Sequence, residues 1–119
     1  MRAGKWVVAV AVAYIVAMTC GELVPLNAPR WEVSGIGVDK LAHAASYGVM
    51  TMLLYASFNG LGLIGSSLLA LSHSIVIECV QTYLPRRSPD IHDLIAGVVG
   101  ILFAVVILAL LRRSAASKA

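Results

Sequence analysis

Four long apolar stretches constrain this chain more than any other feature of its sequence. They cover about residues 6–24, 41–58, 63–84 and 91–111. A helix needs about 20 apolar residues to cross the roughly 30 Å hydrocarbon layer of a bilayer. Inside lipid the backbone must satisfy its own hydrogen bonds, so these stretches are expected to be helices. The sequence therefore predicts an all-α integral membrane bundle of four transmembrane helices, with a short irregular loop after the first.

The composition supports a membrane protein and excludes other classes. Of the 119 residues, 60% are hydrophobic and 13% are charged, and the mean hydropathy is +0.89. Soluble domains carry about 25% charged residues. The formal net charge is +3, but the basic residues lie at the ends of the apolar stretches, with no basic patch interleaved with aromatics. We expect a single domain over residues 1–119 and no nucleic-acid partner.

The distribution of Lys and Arg predicts the orientation. Four helices place both termini on one side, and that side carries Arg2, Lys5, Arg112, Arg113 and Lys118. The other side carries Arg30, Lys40, Arg86 and Arg87. Because cytoplasmic segments are enriched in Lys and Arg, we expect a multi-pass protein of the cell (plasma) membrane with cytoplasmic termini. The alternative of a cleaved signal at the N-terminus is disfavoured, since Met18 and Thr19 fit a cleavage site poorly.

The two cysteines, Cys20 and Cys79, both fall within apolar stretches. Their spacing matches neither a zinc site nor a redox motif. Buried free thiols are the favoured interpretation, because buried cysteine commonly acts as a small hydrophobe. A disulfide between the two helices is the alternative.

Polar residues from three stretches should meet at one membrane face. Asp39, His43 and Tyr47 are spaced by four, so they share one side of the second helix, with Lys40 beside them. The third helix ends with Glu78 and Gln81, and the fourth begins near Arg87 and Asp93. Connectivity alone places all of these groups at the same end of the bundle.

Ionisable residues at membrane depth are costly and commonly mark a functional site. The candidate catalytic residues are Asp39, His43, Glu78 and Asp93, as general acids and bases or as ligands of an unassigned divalent ion. The candidate substrate-binding residues are Lys40, Tyr47, Gln81 and Arg87. Arg87 has the forked donor geometry that clamps a phosphate.

Structural interpretations compete with these roles. Asp39 suits a helix N-cap, Lys40 an interfacial anchor, Glu78 an internal ion pair, and Asp93 the positive end of a helix dipole. His73 is expected to make a helix–helix hydrogen bond away from the cluster. The small residues of the fourth helix predict close helix packing, within the chain or in a homodimer: Ala96, Gly97, Gly100 and Ala104.

Two blocks of this sequence resemble a known family. Asp39-Lys40-x-x-His43 resembles the Asp-Lys-x-x-His motif of VanZ-like membrane proteins. Glu78-x-x-Gln81, followed by Pro85, Arg87 and Asp93, resembles that family's second block. There are two departures: Arg86 stands where the family usually has Gly, and Gly97 stands where it often has Asn.

The resemblance implies a compact helical membrane bundle and a link to low-level resistance to teicoplanin, a cell-wall-directed glycopeptide. Three functions remain open. The chain could bind a phosphate-bearing envelope lipid, such as a polyprenyl phosphate-type carrier or a cell-wall precursor, among other membrane lipids. It could instead be a metal-dependent lipid phosphate hydrolase, or a scaffold whose charges only pair internally. Neither the cofactor nor catalysis is assigned by the sequence.

Overall fold

A computed structural model describes residues 4–24, 32–33, 35–85 and 89–119, which form four helices and one short hairpin. The helices are α1 (Lys5–Leu23), α2 (Val38–Ser57), α3 (Gly62–Gln81) and α4 (Ile91–Ser117). The predicted all-α bundle of four helices is therefore confirmed.

Three of the helices in the described ranges, α1, α3 and α4, are long and apolar enough to cross a membrane. The 20-residue α2 matches α3 in length, but its first turns carry Asp39, Lys40 and His43. It packs against all three other helices, most extensively against α4, and the Lys40 and His43 side chains are largely buried there while Asp39 stays exposed. Large apolar side chains face outward instead, among them Ile64 and Phe103, 78% and 68% exposed. Soluble monomeric proteins rarely expose this much apolar surface, so the chain is a membrane protein.

Three helix ends lie three or more residues from the predicted ends, and the others agree to within one residue. Helix α2 begins at Val38 rather than 41, because the polar residues 39 and 40 form its first turn. Helix α3 ends at Gln81 rather than 84, since the residue before Pro85 is disfavoured in a helix. Helix α4 continues to Ser117 rather than 111, because a helix of good helix formers need not stop where the apolar residues do.

The loop after α1, predicted to be irregular, contains a short antiparallel hairpin. Its strands are β1 (Glu32–Val33) and β2 (Ile36–Gly37), and Val33 pairs with Ile36. Gly35 in the turn has φ of 78°, a left-handed conformation that glycine adopts without strain. The hairpin leads directly into α2 and so fixes where its first turn begins.

The small residues of α4 allow it to approach α2 closely. A Cβ added to Gly100 would overlap the backbone carbonyl of Ala44, with 2.7 Å to its carbon. Gly97, Gly100 and Ala104 are buried in this contact. The predicted close packing is therefore used within the chain, and a homodimer stays a prediction. Below this contact lies the apolar core, built around Tyr47, Met50, Leu54, Ala70 and Ile101.

Candidate functional site

All four helices contribute to one end of the bundle. Consecutive helices run in opposite directions, so α1 and α3 end where α2 and α4 begin. At the other end, the Ser57 hydroxyl near the end of α2 donates to the carbonyl of Val7 near the start of α1 (3.3 Å). The polar residues predicted to share a face therefore lie near one another, in two connected groups.

The first group, the lysine cluster, consists of Asp39, Lys40, Glu78, Asp90 and Asp93. Lys40 Nζ donates to Asp90 Oδ2 at 2.6 Å and also to Asp93 Oδ1. It lies 3.2 Å from Asp39 Oδ2. A lysine ammonium has three N–H donors, and three carboxylates surround this one. A phosphate could bind Lys40 only by displacing one of them.

Glu78 joins α3 to the lysine cluster. Its Oε2 accepts a hydrogen bond from the backbone N–H of Asp90 at 3.0 Å. Its Oε1 is buried and has no donor among the described residues. An oxygen in this situation either carries a proton or awaits a donor from a ligand, because burying it unpaired is unfavourable. Glu78 is therefore the carboxyl of this cluster best placed to respond to a bound molecule.

Asp90 forms the N-cap of α4. Its Oδ1 accepts from the backbone N–H of His92 at 2.8 Å, and the exposed His92 ring lies 3.0 Å from the same oxygen. The hydrogen bond from Lys40, together with the bond from the His92 backbone, lowers the pKa of Asp90 to about 2. Asp90 is thus a carboxylate at physiological pH. The Asp39 N-cap interpretation is wrong, since Gly37 occupies that position in α2.

The second group, the histidine cluster, consists of Thr19, Glu22, His43, Tyr47 and His73. His43 Nδ1 lies 3.5 Å from Glu22 Oε1. The Tyr47 hydroxyl lies 3.2 Å from Glu22 Oε2 and 3.0 Å from His73 Nδ1. His73 Nε2 lies 2.8 Å from the Thr19 hydroxyl. This chain of polar groups links α1, α2 and α3 below the lysine cluster, and Tyr47 at its centre is 0% exposed.

Gln81 is buried beside the histidine cluster and holds α3 to α1. Its Nε2 donates to the backbone carbonyl of Glu22 at 2.9 Å. Such a bond between helices is typical of membrane bundles. The amide predicted to bind substrate is therefore already engaged in positioning the end of α1.

The two clusters lie close enough to influence each other. His43 is within electrostatic range of Asp93, Lys40 and Asp39. Its Nε2 is buried and has no hydrogen-bond partner in the part of the chain that the structure describes. His43 is therefore the link between the charges at the membrane face and the polar chain below them.

Among the described residues, the lysine cluster has more acidic than basic side chains. It has one cation, Lys40, and four carboxyl groups, Asp39, Glu78, Asp90 and Asp93. The predicted phosphate ligand Arg87 lies outside the described residues, as does Arg86. Within the described ranges, no three His, Cys, Asp or Glu side chains are grouped so as to hold a metal ion.

Sequence reasoning missed Glu22 and Thr19, and it misplaced His73. His73 does make a helix–helix hydrogen bond, as predicted. It is not away from the candidate residues, however, since it contacts Tyr47. The signal that could have found this site was Glu22, the single acidic residue of the mostly apolar α1, because an ionisable group in a membrane helix indicates function.

The predicted interpretation of the cysteines is partly wrong. Cys20 and Cys79 are both free in the structure, as the favoured interpretation predicts. Both are exposed rather than buried, because they lie on the outer surfaces of α1 and α3. In a membrane protein such a surface faces lipid, which accepts a thiol as readily as a protein core does.

The family is decided by a comparison that covers most of the chain. Residues 5–112 match the family model VanZ/LLP1. The chain belongs to the VanZ/LLP1 family. No curated protein and no solved structure matches it. The family match spans all four helices, so both clusters lie within it.

The structure shows the consequence of having Gly97 where VanZ-like proteins often have Asn. A Cβ at this position would lie 3.3 Å from the Ser74 hydroxyl and 3.3 Å from Tyr47 Cδ2. An Asn here would place its amide against Tyr47, at the centre of the histidine cluster. With Gly97, helix α4 contributes no polar side chain at this point, and Tyr47 is closely covered by backbone.

Proposed function

We propose that this VanZ/LLP1 family protein binds an anionic, phosphate-bearing envelope lipid or lipid-linked cell-wall precursor at the membrane face that carries the lysine cluster. The observation that carries the proposal is a groove between α3 and α4 with a volume of about 360 Å³. Its walls are mostly apolar, but Glu78 forms part of them. Lining residues are Glu78, Cys79, Thr82, Pro89, Ile91 and Leu94.

The groove suits an amphiphilic ligand. Binding sites for small molecules commonly have volumes of about 300–1,000 Å³ and apolar walls with a few polar groups. Ile91 and Leu94 offer contacts for a hydrocarbon tail, while Glu78 and Thr82 lie beside the headgroup level. A lipid therefore fits this site better than a soluble metabolite.

The charges of the site indicate which residues would contact which part of such a headgroup. The carboxylates around Lys40 repel a phosphate and attract hydrogen-bond donors, such as sugar hydroxyls, amides or an amine. Phosphate binding is assigned to Arg87, because an arginine pairs with phosphate through two parallel hydrogen bonds. The preferred ligand is then a lipid phosphate whose head also carries several donors, as a lipid-linked cell-wall precursor does.

The test is lipid retention by the purified protein, measured by native mass spectrometry with polyprenyl phosphate and with a neutral lipid of equal chain length. Arg87→Ala is expected to reduce retention of the phosphate lipid about tenfold, equivalent to about 1.4 kcal/mol. Arg112→Ala is the matched control, since it removes the same charge at the opposite end of the bundle. Equal retention by the two variants would remove the phosphate role of Arg87.

A scaffold role is the second candidate, because all three donors of Lys40 are already used inside the bundle. If the charges only stabilise the fold, Glu78→Gln should leave lipid retention unchanged. Teicoplanin susceptibility of a host carrying each variant, normalised to protein level, separates the two functions. A susceptibility change for Glu78→Gln at unchanged protein level supports the lipid function.

A further inference from the structure

Three buried polar atoms inside the bundle have no hydrogen-bond partner among the described residues. They are His43 Nε2 of α2, and Ser74 Oγ and Glu78 Oε1 of α3. Buried polar groups in native proteins are almost always paired, and an exception commonly marks a bound water molecule or ion. The relative positions of the three atoms show whether one bound group could serve them all.

The antiparallel packing of α2 and α3 brings the three atoms to one place. Tyr47 of α2 lies beside Ser74 of α3, and we call these two residues the lower pair. Residues four apart lie on the same side of a helix. One turn nearer the membrane face, α2 therefore carries His43 and α3 carries Glu78, which form the upper pair. The His43 ring lies 4.9 Å from the Tyr47 ring, so the upper pair sits directly over the lower pair.

Helix α4 forms the third wall of this place. A Cβ added to Gly97 would lie 3.3 Å from an atom of each residue of the lower pair. Asp93, one turn nearer the face, is within electrostatic range of both residues of the upper pair. The Asp93 carboxylate already accepts a hydrogen bond from Lys40, and Gly97 has no side chain. Neither residue of α4 therefore offers a donor to the three atoms.

Ser74 differs from other serines of α3 in how its hydroxyl is used. The hydroxyls of Ser66, Ser67 and Ser72 each donate to the backbone carbonyl four residues earlier, at 2.7 Å. This bond is the usual way in which a serine inside a helix satisfies its hydroxyl. Ser74 is 1% exposed, yet its hydroxyl makes no such bond and points across the helix contact towards Gly97. Its hydroxyl is therefore available to a bound group.

Water has the chemistry that these three atoms require. A water molecule both donates and accepts, so it can pair with a hydroxyl, a carboxyl oxygen and an imidazole nitrogen in either protonation state. Buried waters make about three hydrogen bonds to groups that are otherwise unpaired. An anion would be repelled by the acidic side chains of Glu78 and Asp93. Within the described ranges, no three His, Cys, Asp or Glu side chains are grouped so as to hold a metal ion.

We propose that His43, Ser74 and Glu78 bind one internal water molecule between α2, α3 and α4, beneath the lysine cluster. The water joins α2 to α3 at this depth and holds the His43 ring and the Glu78 carboxyl in a fixed arrangement. It thereby connects the lysine cluster, through Glu78, to the polar groups around Tyr47. This assignment does not rest on the lipid function proposed above.

The site is tested first on the wild-type protein, by a crystal structure of the full chain grown from a lipidic mesophase. We expect density for one atom at about 2.7–3.2 Å from His43 Nε2, Ser74 Oγ and Glu78 Oε1. Separations of about 2.0–2.6 Å would identify a metal ion instead and would overturn the proposal. Direct hydrogen bonds among the three side chains, or no density between them, would overturn it as well.

A variant tests the role of Ser74 in lipid bilayers. Solid-state NMR measures the transfer of magnetisation from water to the buried Nε2 of His43. Ser74→Ala removes one of the three partners and is expected to abolish the transfer from the bound water. Ser66→Ala is the matched control, since Ser66 is a buried serine of the same helix whose hydroxyl is already paired, and it should leave the transfer unchanged. Equal transfer in Ser74→Ala and the wild type would contradict the proposal, and the wild-type crystal structure does not depend on how the variant folds.

Discussion

Replacing Lys40 with Met should destabilise the bundle more than any other single charge removal in the lysine cluster. The change keeps the length of the side chain but removes the ammonium that contacts Asp39, Asp90 and Asp93. Three carboxylates from two helices would then face one another without the cation between them. The ion pairs that this change removes lie where α2 meets the start of α4. This is the most extensive helix contact of the fold.

The magnitude follows from how exposed each partner is. Removing one member of a fully buried ion pair costs about 3–5 kcal/mol, whereas exposed pairs contribute about 0–1 kcal/mol. Lys40 and Asp93 each keep 25% of their side chain exposed, and Asp39 keeps 65%. We therefore expect about 2 kcal/mol for Lys40→Met. The coupling energy should be about 1 kcal/mol with Asp93 and below about 0.5 kcal/mol with Asp39.

The assay is equilibrium unfolding in mixed micelles, followed by far-UV circular dichroism, with double-mutant cycles for each pair. Lys5→Met is the control, because it makes the same change on an exposed residue at the other end of the bundle. The reasoning is refuted if Lys40→Met and Lys5→Met lower the free energy of unfolding equally. It is also refuted if the coupling with Asp39 exceeds the coupling with Asp93.

Three further predictions concern other parts of the molecule. Gly100→Ala should destabilise by about 1–3 kcal/mol, because its Cβ would overlap the Ala44 backbone. Gly21→Ala, whose Cβ would meet no described atom within 4 Å, should not lower the free energy of unfolding in the same assay, because alanine is the better helix former. Acid sensitivity provides the second prediction. The pKa of Asp90 is lowered to about 2, so its ion pair with Lys40 stabilises the fold above the unfolded-state pKa of about 4 and this stabilisation is lost as the pH falls through about 2. Thermal unfolding between pH 5 and pH 2 should therefore depend less on pH in Asp90→Asn than in the wild type. Finally, a reporter fused to the C-terminus should be active in the cytoplasm, and periplasmic or extracellular activity would reverse the predicted orientation.

Much of the fold was predictable because lipid imposes one rule on long apolar segments. Four stretches of about 20 apolar residues gave four helices, and their alternating directions placed Lys40, Glu78 and Asp93 at one end. These inferences need only the length of a helix and the order of the helices along the chain. The ends of the helices were less predictable, since residues such as Asp39 are polar and yet helical.

The partners of the polar residues could not be predicted in the same way. The sequence shows that Lys40 is near a membrane face, but not that three carboxylates surround it. Which side of α2 meets α4 depends on the close approach at Gly100 and Ala44, which brings Asp93 towards Lys40. Small residues permit that approach, but the packing of the whole bundle selects it.

The four apolar stretches by themselves determined that this is a helical membrane protein with Lys40, Glu78 and Asp93 at one end, because an unpaired backbone is too costly in lipid for other structures to form. Only the tertiary structure decided that Glu22 and His73 meet at Tyr47. Their helices, α1 and α3, are not consecutive, and α2 lies between them in the chain. The rotation of each helix about its own axis sets this contact, and that rotation is fixed by side-chain packing across the whole bundle rather than by any local segment.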